Sequence, residues 1–570
     1  MLKILKFLKK LDLKFKLYFI LLVAFGIPIS FLEVIGIATI FPIVSKLTEV
    51  TQINFDGNQF ISLSNIFGDN TNNLILFLLF VILLKNFLAI FYNFFAHFFS
   101  QKIYLKVCDK ILNQNLNLKY IEFIQKNNAT FLRDLREIPS CASTYINTYL
   151  TYLIDLFTTL IILIFLFVFS FKSTFVSAFT IFLIFYILNR YSKKKAEKWG
   201  KNRLISSELL TKNIISIFKN FIEIKFFNKK NFFIREYVGH NNTYINENRK
   251  IIFLSSITKN LIEIILIFFL IIVSIFLIKN INLQNFIALT AVYVFSFFRI
   301  LPSINRIIGE KIILNSNLKG FKDAFEIILI KSDKEKMYSN IINNKENQDI
   351  EKFNFKYGIE LKNISFKYPG SNEVVLKDLS FVIKKNSFFG IKGPSGSGKS
   401  TILKILLGII QPDKGNIVID SKFNLNEIKL QFLKNVGYVS QNFYILNDTV
   451  AKNIALSDNE TIDEKKCWEA LKLANCDDFV KKLKNGINTV ISEDAIDFSG
   501  GQRQRISIAR ALYREPKIIF FDEATSSLDI KTEKNILNDI VKLKKNFTLV
   551  LVSHRLETLG FCDEIYDLKV

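Results

Sequence analysis

Gly393-Pro-Ser-Gly-Ser-Gly398-Lys399-Ser400-Thr401 is the stretch that decides how this 570-residue chain should fold. It has the form G-x-x-x-x-G-K-S/T and follows an apolar run, Ser387–Ile391, that predicts a strand. Glycines at these spacings let backbone N–H groups turn towards a phosphate, which Lys399 can also reach, and the Ser400 hydroxyl can hold Mg²⁺. Thr401–Gly408 predicts a helix whose N-terminus favours an anion. We expect nucleotide phosphates to contact Gly393, Ser395, Gly396, Gly398, Lys399, Ser400 and Thr401.

A second apolar strand is predicted at Ile518–Phe521, and two carboxylates, Asp522 and Glu523, follow it directly. The sheets of α/β domains bind ligands at the carboxyl ends of their strands. Asp522 is placed to hold Mg²⁺ through water, together with Ser400. Glu523 is placed to orient or deprotonate an attacking water. These patterns predict an α/β domain that binds ATP with Mg²⁺ and hydrolyses it.

The first 330 residues have a membrane-like composition. Half of the whole chain is hydrophobic and 59 residues are Phe, which is too apolar for an ordinary soluble protein. Crossing a bilayer core takes about 20 apolar residues. Apolar segments near that length occur at 17–45, 73–99, 148–171, 174–192, 252–278 and 285–306. We therefore predict six membrane spans.

The distribution of charge predicts the orientation of these spans. Residues 48–73 contain no Lys or Arg, whereas 101–140 and 190–250 are rich in both. Cytoplasmic loops carry the positive charge, so the N-terminus and the phosphate loop are expected in the cytosol. The net charge of +24 would suggest nucleic acid in a soluble protein. In a membrane protein we interpret it as positive loops beside anionic lipid, without a nucleic-acid partner.

Three domains are predicted: a transmembrane domain at 1–330, a linker at 331–352 that is rich in Lys, Asn and Glu, and a nucleotide-binding domain at 353–570. Membrane helices should extend into the cytosol over 100–147 and 190–251. Short transverse helices are expected at the far ends of these extensions, near 120–125 and 220–229. Met1–Lys16 alternates apolar residues with Lys and predicts an amphipathic interfacial helix; no cleavable signal is expected. Five cysteines without a C-x-x-C pair favour a reduced setting and no disulfides.

Further motifs follow the order and spacing of one known family. They are Tyr368, Gln441 in Val439-Ser-Gln-Asn442, Phe498-Ser-Gly-Gly-Gln-Arg-Gln-Arg505, Ser526–Asp529 and His554. With the phosphate loop and the strand-end acids, these motifs make residues 353–570 resemble the nucleotide-binding domain of ATP-binding cassette (ABC) transporters. The resemblance is strong over that domain and weak over the rest of the chain.

The resemblance implies roles for these residues. Tyr368 would stack on adenine, and Gln441 would contact Mg²⁺ and sense the membrane domain. His554 would contact the γ-phosphate and act with Glu523 and Gln441 in catalysis. The residues implied to close over a nucleotide held by a second cassette are Ser499, Gly500, Gly501, Gln502 and Asp529.

Two departures from the family pattern are visible. Phe498 stands where the family's signature usually has Leu. Ser492 and Ala495 replace two glycines of an exporter loop pattern, which makes the geometry of that loop uncertain. The sequence also reaches Val570 soon after the last predicted strand, and the family's usual C-terminal extension is not expected.

A single cassette behind six spans resembles an exporter-type half-transporter. The expected fold is an α-helical six-span transmembrane domain of the type I ABC exporter kind, followed by an α/β phosphate-loop domain. Two chains are then needed, and a homodimer is the simplest assembly. A heterodimer remains an alternative. The bacterial inner membrane is the expected location.

Charged residues within the spans carry the evidence about substrate. Counted from the outer ends of their spans, Lys85 and Arg299 lie at similar depths, about 18 and about 21 Å. Cations at one depth suit an anionic headgroup. Arg306 lies near the inner edge, where reaching out to lipid headgroups explains it equally well. Pairing of Lys85 or Arg299 with Glu33 or Asp155 is the structural alternative.

Phe298–Ile307 and Gly437–Asp448 are similar to bacterial lipid-linked oligosaccharide flippases, which move undecaprenyl-pyrophosphate glycans. This resemblance implies export of an anionic glycolipid. Two alternatives stay open. One is an exporter of drugs, peptides or phospholipids. The other is a nucleotide-gated channel or regulator without turnover, against which the intact Glu523 and His554 argue.

Overall fold

The computed structural model divides the chain into two compact units. The first comprises Met1–Leu118 and Glu122–Lys345, and the second comprises Lys119–Ile121 and Glu346–Val570. The residues that the structure describes are 1–47, 71–169, 171–278, 283–346, 353–394, 396–441, 443–457, 461–491, 498–523 and 530–568. The predicted boundaries at 330 and 353 stay a prediction.

The chain up to Glu346 is helical throughout its described part. Its helices are α1 Leu2–Leu11, α2 Leu13–Leu47, α3 Thr71–Leu116, α4 Tyr120–Ile124, α5 Asn128–Phe169, α6 Phe171–Lys219, α7 Phe221–Phe226, α8 Lys230–Ile278 and α9 Leu283–Glu346. The short helices α4 and α7 lie where the transverse helices were predicted. The long helices extend into the predicted cytosolic extensions and are interrupted there only around the short helices α4 and α7.

Three helices of the described part are long and apolar enough to cross a membrane. Their apolar segments are Leu13–Thr39, Asn72–Leu116 and Asn128–Phe167, which overlap the first three predicted spans. The other three predicted spans lie in α6, α8 and α9. Many side chains of those spans, including that of Arg299, lie outside the described residues.

The N-terminal helix α1 is amphipathic, as predicted, but it is shorter than expected. It ends at Leu11, and Asp12 has an extended backbone (φ −169°, ψ 145°) before α2 begins. Phe7 is fully buried, and its ring centroid lies 5.1 Å from that of Phe321 and 6.2 Å from that of Phe325. The apolar face of α1 therefore packs against α9, a pairing that periodicity alone cannot predict because it does not identify the partner.

Helix also occupies most of the segment predicted as a linker. α9 continues through residues 331–346 to Glu346. Lys and Glu, which are six of the sixteen residues 331–346, are favourable helix formers, so a polar composition does not exclude a helix. Composition shows that this segment is polar, but it does not predict whether the backbone is helical.

The second unit contains two sheets. One has the strand order β2-β1-β4-β5 and antiparallel pairs, and the other has the order β6-β7-β8-β3-β9 and parallel pairs. The strands are β1 Gly358–Phe366, β2 Leu376–Lys384, β3 Phe388–Lys392, β4 Lys414–Ile419, β5 Phe423–Asn424, β6 Val436–Val439, β7 Ile518–Asp522, β8 Thr548–Ser553 and β9 Glu564–Asp567. The helices are α10 Lys399–Leu406, α11 Leu425–Lys434, α12 Val450–Ala455, α13 Glu464–Leu473, α14 Asp477–Lys481, α15 Gly500–Leu512, α16 Ile530–Leu543 and α17 Leu556–Leu559.

The parallel sheet brings the functional segments to one edge. β7 and β8 are buried at every position. Lys392 of β3 is in register with Ser553 of β8, and Asp522 of β7 is in register with Val552. The chain segments that follow these three strands are the phosphate loop, Glu523 and His554, so they leave the sheet side by side at its carboxyl edge.

Candidate nucleotide site

The phosphate loop links β3 to α10 and depends on its glycines. Gly396 and Gly398 have φ angles of 86° and 90°, in the left-handed region that side chains disfavour. A Cβ on Gly398 would also lie 2.7 Å from Leu376 Cδ2. Gly398 caps α10, so the loop directs the N-terminus of an eight-residue helix towards its own interior. That arrangement suits an anionic ligand.

Lys399 is held inside this loop. Its ammonium donates hydrogen bonds to the carbonyl oxygens of Gly393, at 2.9 Å, and Pro394, at 2.7 Å. The side chain is only 6% exposed, and the ammonium lies 3.7 Å from a carboxylate oxygen of Glu523. The loop therefore keeps a buried positive charge beside the acids at the end of β7.

Asp522 is the buried acid of the site. Ser400 donates a hydrogen bond to its Oδ1 at 3.4 Å, and Tyr438 donates one to its Oδ2 at 3.3 Å. Burial raises the pKa of the Asp522 carboxyl above its usual range, while the two hydroxyl groups and Lys404 act in the opposite direction. The site thus holds a carboxylate and a hydroxyl close together, and both are oxygen ligands of the kind that Mg²⁺ prefers.

No group of three or more His, Cys, Asp or Glu side chains that could hold a metal occurs in the described part of the chain. Mg²⁺ usually takes only one or two protein ligands beside phosphates and water. Ser400, Gln441 and Asp522 are the residues that would hold it.

Side chains from three distant motifs approach Glu523. The amide nitrogen of Gln441 donates a hydrogen bond to Glu523 Oε2 at 3.0 Å. His554 Nδ1 lies 3.5 Å from Oε1, the oxygen that Lys399 also faces. The φ angle of Glu523 is 45°, unusual for a residue with a side chain, and its backbone N–H donates to the Val552 carbonyl at 3.1 Å. The sheet edge therefore imposes an uncommon backbone conformation on the candidate base.

Tyr368 lies against the helix that follows the phosphate loop. Its hydroxyl is 3.2 Å from the Thr401 hydroxyl, and its ring meets that of Phe366 edge-on at 5.0 Å. The ring is thus held beside the loop, in a position compatible with stacking on a nucleotide base.

The predicted signature begins a helix. Ser499 caps α15, and its side chain and that of Gln502 form a reciprocal capping box. Phe498, the departure from the usual Leu, is buried, and its ring meets that of Phe479 edge-on at 5.7 Å. The larger side chain is thus accommodated in the core behind the signature. Among the described hydrogen bonds, none joins residues 499–502 to the phosphate loop.

Several predicted site residues cannot be placed. Ser395 and Asp529 lie outside the described residues, as do Ser492 and Ala495 of the altered loop. The side chain of Arg299 lies outside them too. Their roles stay predictions.

The two described cations that the sequence singled out for the substrate, Lys85 and Arg306, are both ion-paired. The Lys85 ammonium lies 2.8 Å from Glu33, and both side chains are largely buried. Arg306 donates to the two carboxylate oxygens of Asp155 at 2.8 and 2.7 Å. Asp155 is therefore paired with Arg306, whereas the sequence suggested Lys85 or Arg299 as a partner. A substrate role for Lys85 and Arg306 stays a prediction.

Sequence reasoning missed Tyr438, which contacts Asp522. The available signal was its position: it lies three residues before Gln441, in the strand that precedes that glutamine. Recognising the contact requires knowing that β6 pairs with β7, because sequence order alone does not reveal which strands are neighbours.

Comparison with known proteins agrees with this geometry. The family model described as ABC transporter matches residues 376–526, which include the phosphate loop, the signature and Asp522. The second unit contains an ABC transporter domain. The match ends at Ser526, so it includes part of the segment that the structure leaves undescribed and stops short of His554.

Parts of curated relatives are similar to this chain as well. The chain is 43% identical over 225 residues to the ATP-dependent lipid A-core flippase of Wigglesworthia glossinidia brevipalpis. It is 42% identical over 208 residues to the protein of the same name from Escherichia coli strain K12. These alignments span 39% and 36% of the relatives' own length, so they concern less than half of each protein.

A solved structure is similar to this chain over most of its length. A bacterial Atm1-family ABC exporter with ATP bound superposes with a TM-score of 0.75, covering 96% of this chain and 94% of that one. At 19% sequence identity this likeness shows the fold alone. The predicted fold class, a type I ABC exporter with an N-terminal helical domain, is confirmed.

Proposed function

We propose that the chain is an ATP-hydrolysing half-transporter that exports or flips a lipid across the bacterial inner membrane, with its ABC domain in the cytosol. The convergence of Lys399, Gln441 and His554 on Glu523 supports this proposal most directly. Such an arrangement suits turnover, because a carboxylate that faces an ammonium, an imidazole and an amide is oriented for one task. A channel or regulator that only binds nucleotide would not need it.

Each residue of the site has a task in the proposed hydrolysis. Loop N–H groups and Lys399 bind the phosphates, and Tyr368 stacks on the base. Glu523 orients the attacking water and accepts its proton, while His554 donates to the γ-phosphate. When bound by Ser400, Asp522 and Gln441, Mg²⁺ would neutralise charge on the phosphate oxygens.

A second copy of the chain completes the proposed site. Ser499 and the two glycines after it begin α15, whose N-terminus favours an anion. In ABC exporters this surface closes over the nucleotide of the partner cassette. Because this chain retains both the signature and Glu523, two equal sites in a homodimer are the simplest arrangement. A heterodimer is the alternative, and the subunit composition of the purified protein decides between them.

The substrate proposed here is an anionic glycolipid, specifically a polyprenyl-pyrophosphate-linked oligosaccharide. The relatives' names favour a lipid, and the span cations favour an anionic headgroup. Lys85, Arg299 and Arg306 would bind the pyrophosphate, with Glu33 and Asp155 releasing the cations that they pair with now. Drugs, peptides and ordinary phospholipids are the competing cargoes.

Purified protein in liposomes tests the proposal. We expect the wild-type protein to translocate a short-chain polyprenyl-pyrophosphate glycan when ATP is present. The double variant Lys85→Gln/Arg299→Gln should lose this translocation and keep its basal ATPase activity. The control is Lys212→Gln with Arg235→Gln, two exposed cations of α6 and α8. If the wild-type protein does not hydrolyse ATP, the proposed ATP-driven transporter is rejected. If the protein hydrolyses ATP and translocates a phospholipid or a drug but not the glycan, only the assignment of a glycolipid substrate is rejected.

A further inference from the structure

The strands β6 and β7 place Tyr438 beside Asp522. They pair in parallel, with Tyr438 opposite Phe520, two residues before Asp522. Alternate residues of a strand share a face, so Tyr438, Phe520 and Asp522 lie on the same face of the sheet. Phe520 packs in the core cluster that also contains Ile402 of α10. That face is therefore the one covered by the helix that carries Ser400.

The two oxygens of Asp522 each accept one hydroxyl hydrogen bond. Oδ1 accepts from Ser400 at 3.4 Å, and Oδ2 accepts from Tyr438 at 3.3 Å. Asp522 is 6% exposed, so water can reach it only slightly. Ser400 is itself a candidate metal ligand, and its hydroxyl oxygen would then face the metal. Among the described contacts, Tyr438 is the one that holds Oδ2 and so fixes the rotation of the carboxylate.

We propose that Tyr438 is a positioning residue for the metal: its hydroxyl holds Oδ2 of Asp522 so that Oδ1 faces Ser400 and Mg²⁺. This inference rests on the Mg²⁺-nucleotide site proposed above. Hydrogen-bond partners of metal-binding carboxylates orient them, and losing such a partner typically weakens metal binding or activity about 10–100-fold. Phe at position 438 would fill the same volume without the donor, so the hydroxyl alone is under test.

The experiment compares Tyr438→Phe with the wild-type chain in lipid nanodiscs. Binding of a fluorescent, non-hydrolysable ATP analogue is followed while Mg²⁺ is titrated, and once more in EDTA. Mn²⁺ binding by electron paramagnetic resonance in the presence of the analogue gives a second readout. The control is Tyr357→Phe, whose ring is 71% exposed in the same unit.

We expect the Mg²⁺ concentration at half-saturation to rise about 10-fold in Tyr438→Phe, with weaker Mn²⁺ binding. Affinity for the analogue in EDTA and the melting temperature should stay at wild-type values, as should every value for Tyr357→Phe. An unchanged Mg²⁺ requirement overturns the inference. So does a parallel loss of metal-free binding and melting temperature, which would show a merely structural tyrosine. If the wild type shows no Mg²⁺-dependent binding, the proposed function itself fails.

Discussion

Replacing Arg306 by Gln should destabilise the first unit more than replacing its partner Asp155 by Asn. The pair is joined by two hydrogen bonds at 2.8 and 2.7 Å. The Asp155 side chain is 8% exposed, whereas that of Arg306 is 56% exposed. Arg306→Gln leaves a buried carboxylate without its cation, a loss of about 3–5 kcal/mol. Asp155→Asn leaves a half-exposed guanidinium that water or headgroups can solvate, so about 1–2 kcal/mol is expected from the weaker hydrogen bonds.

Thermal melting in nanodiscs, with Asp155→Asn/Arg306→Gln as the double variant, measures this asymmetry. A loss of 3–5 kcal/mol should lower the melting temperature by roughly 5 °C in a unit of this size. The double variant should melt close to Asp155→Asn, because removing the carboxylate removes the buried charge. Equal melting of both single variants, or a double variant as unstable as Arg306→Gln, would refute this reasoning. Full stability of Arg306→Gln together with lost translocation would instead indicate that Arg306 serves the substrate.

Three further outcomes are expected from the ABC domain. Glu523→Gln should keep ATP binding and lower the ATPase rate at least about 100-fold, because an amide cannot accept the proton of the attacking water. An ATPase rate near that of the wild type would reject Glu523 as the base. In mixed dimers, Ser499→Arg in one chain and Lys399→Ala in the other should impair one composite site and leave the second intact. Recovery of activity over both parent homodimers is therefore predicted, and its absence would mean that the sites are interdependent or that the signature acts within its own chain. Phe498→Ala should lower the free energy of unfolding, measured with denaturant, by about 3–5 kcal/mol, whereas Phe498→Leu should lower it far less. Equal losses in the two variants would mean that the core tolerates a cavity behind the signature.

Much of the fold followed from local patterns. The phosphate loop, the strand before it and the acids at the end of β7 are contiguous motifs, so short-range sequence is enough to predict them. Resemblance supplied Gln441 and His554, and the structure brings both to Glu523. The first three spans were predictable because twenty apolar residues are a signal in themselves.

Contacts between elements were the part that sequence could not supply. The pairing of Arg306 with Asp155 depends on how α9 is rotated against α5, which no motif encodes. The burial of Phe7 against Phe321 depends on a similar choice of partner. Tyr438 went unnoticed because strand order, and not chain order, makes it a neighbour of Asp522. The polar segment after residue 330 is predicted to be a linker, and its composition could not predict that residues 331–346 are helical, because polar residues occur both in helices and in loops.

Lys399 is part of the scaffold of its own loop as well as a charge for a phosphate. Its ammonium joins the peptide groups of Gly393 and Pro394. An alanine at this position therefore leaves two inward carbonyls that must find other donors. Failure of such a variant to bind nucleotide would combine two effects, lost attraction and a reorganised loop. A Lys399→Ala variant therefore needs a structural control, such as hydrogen exchange over residues 393–401. Without it, the loss of nucleotide binding cannot be attributed to the missing positive charge.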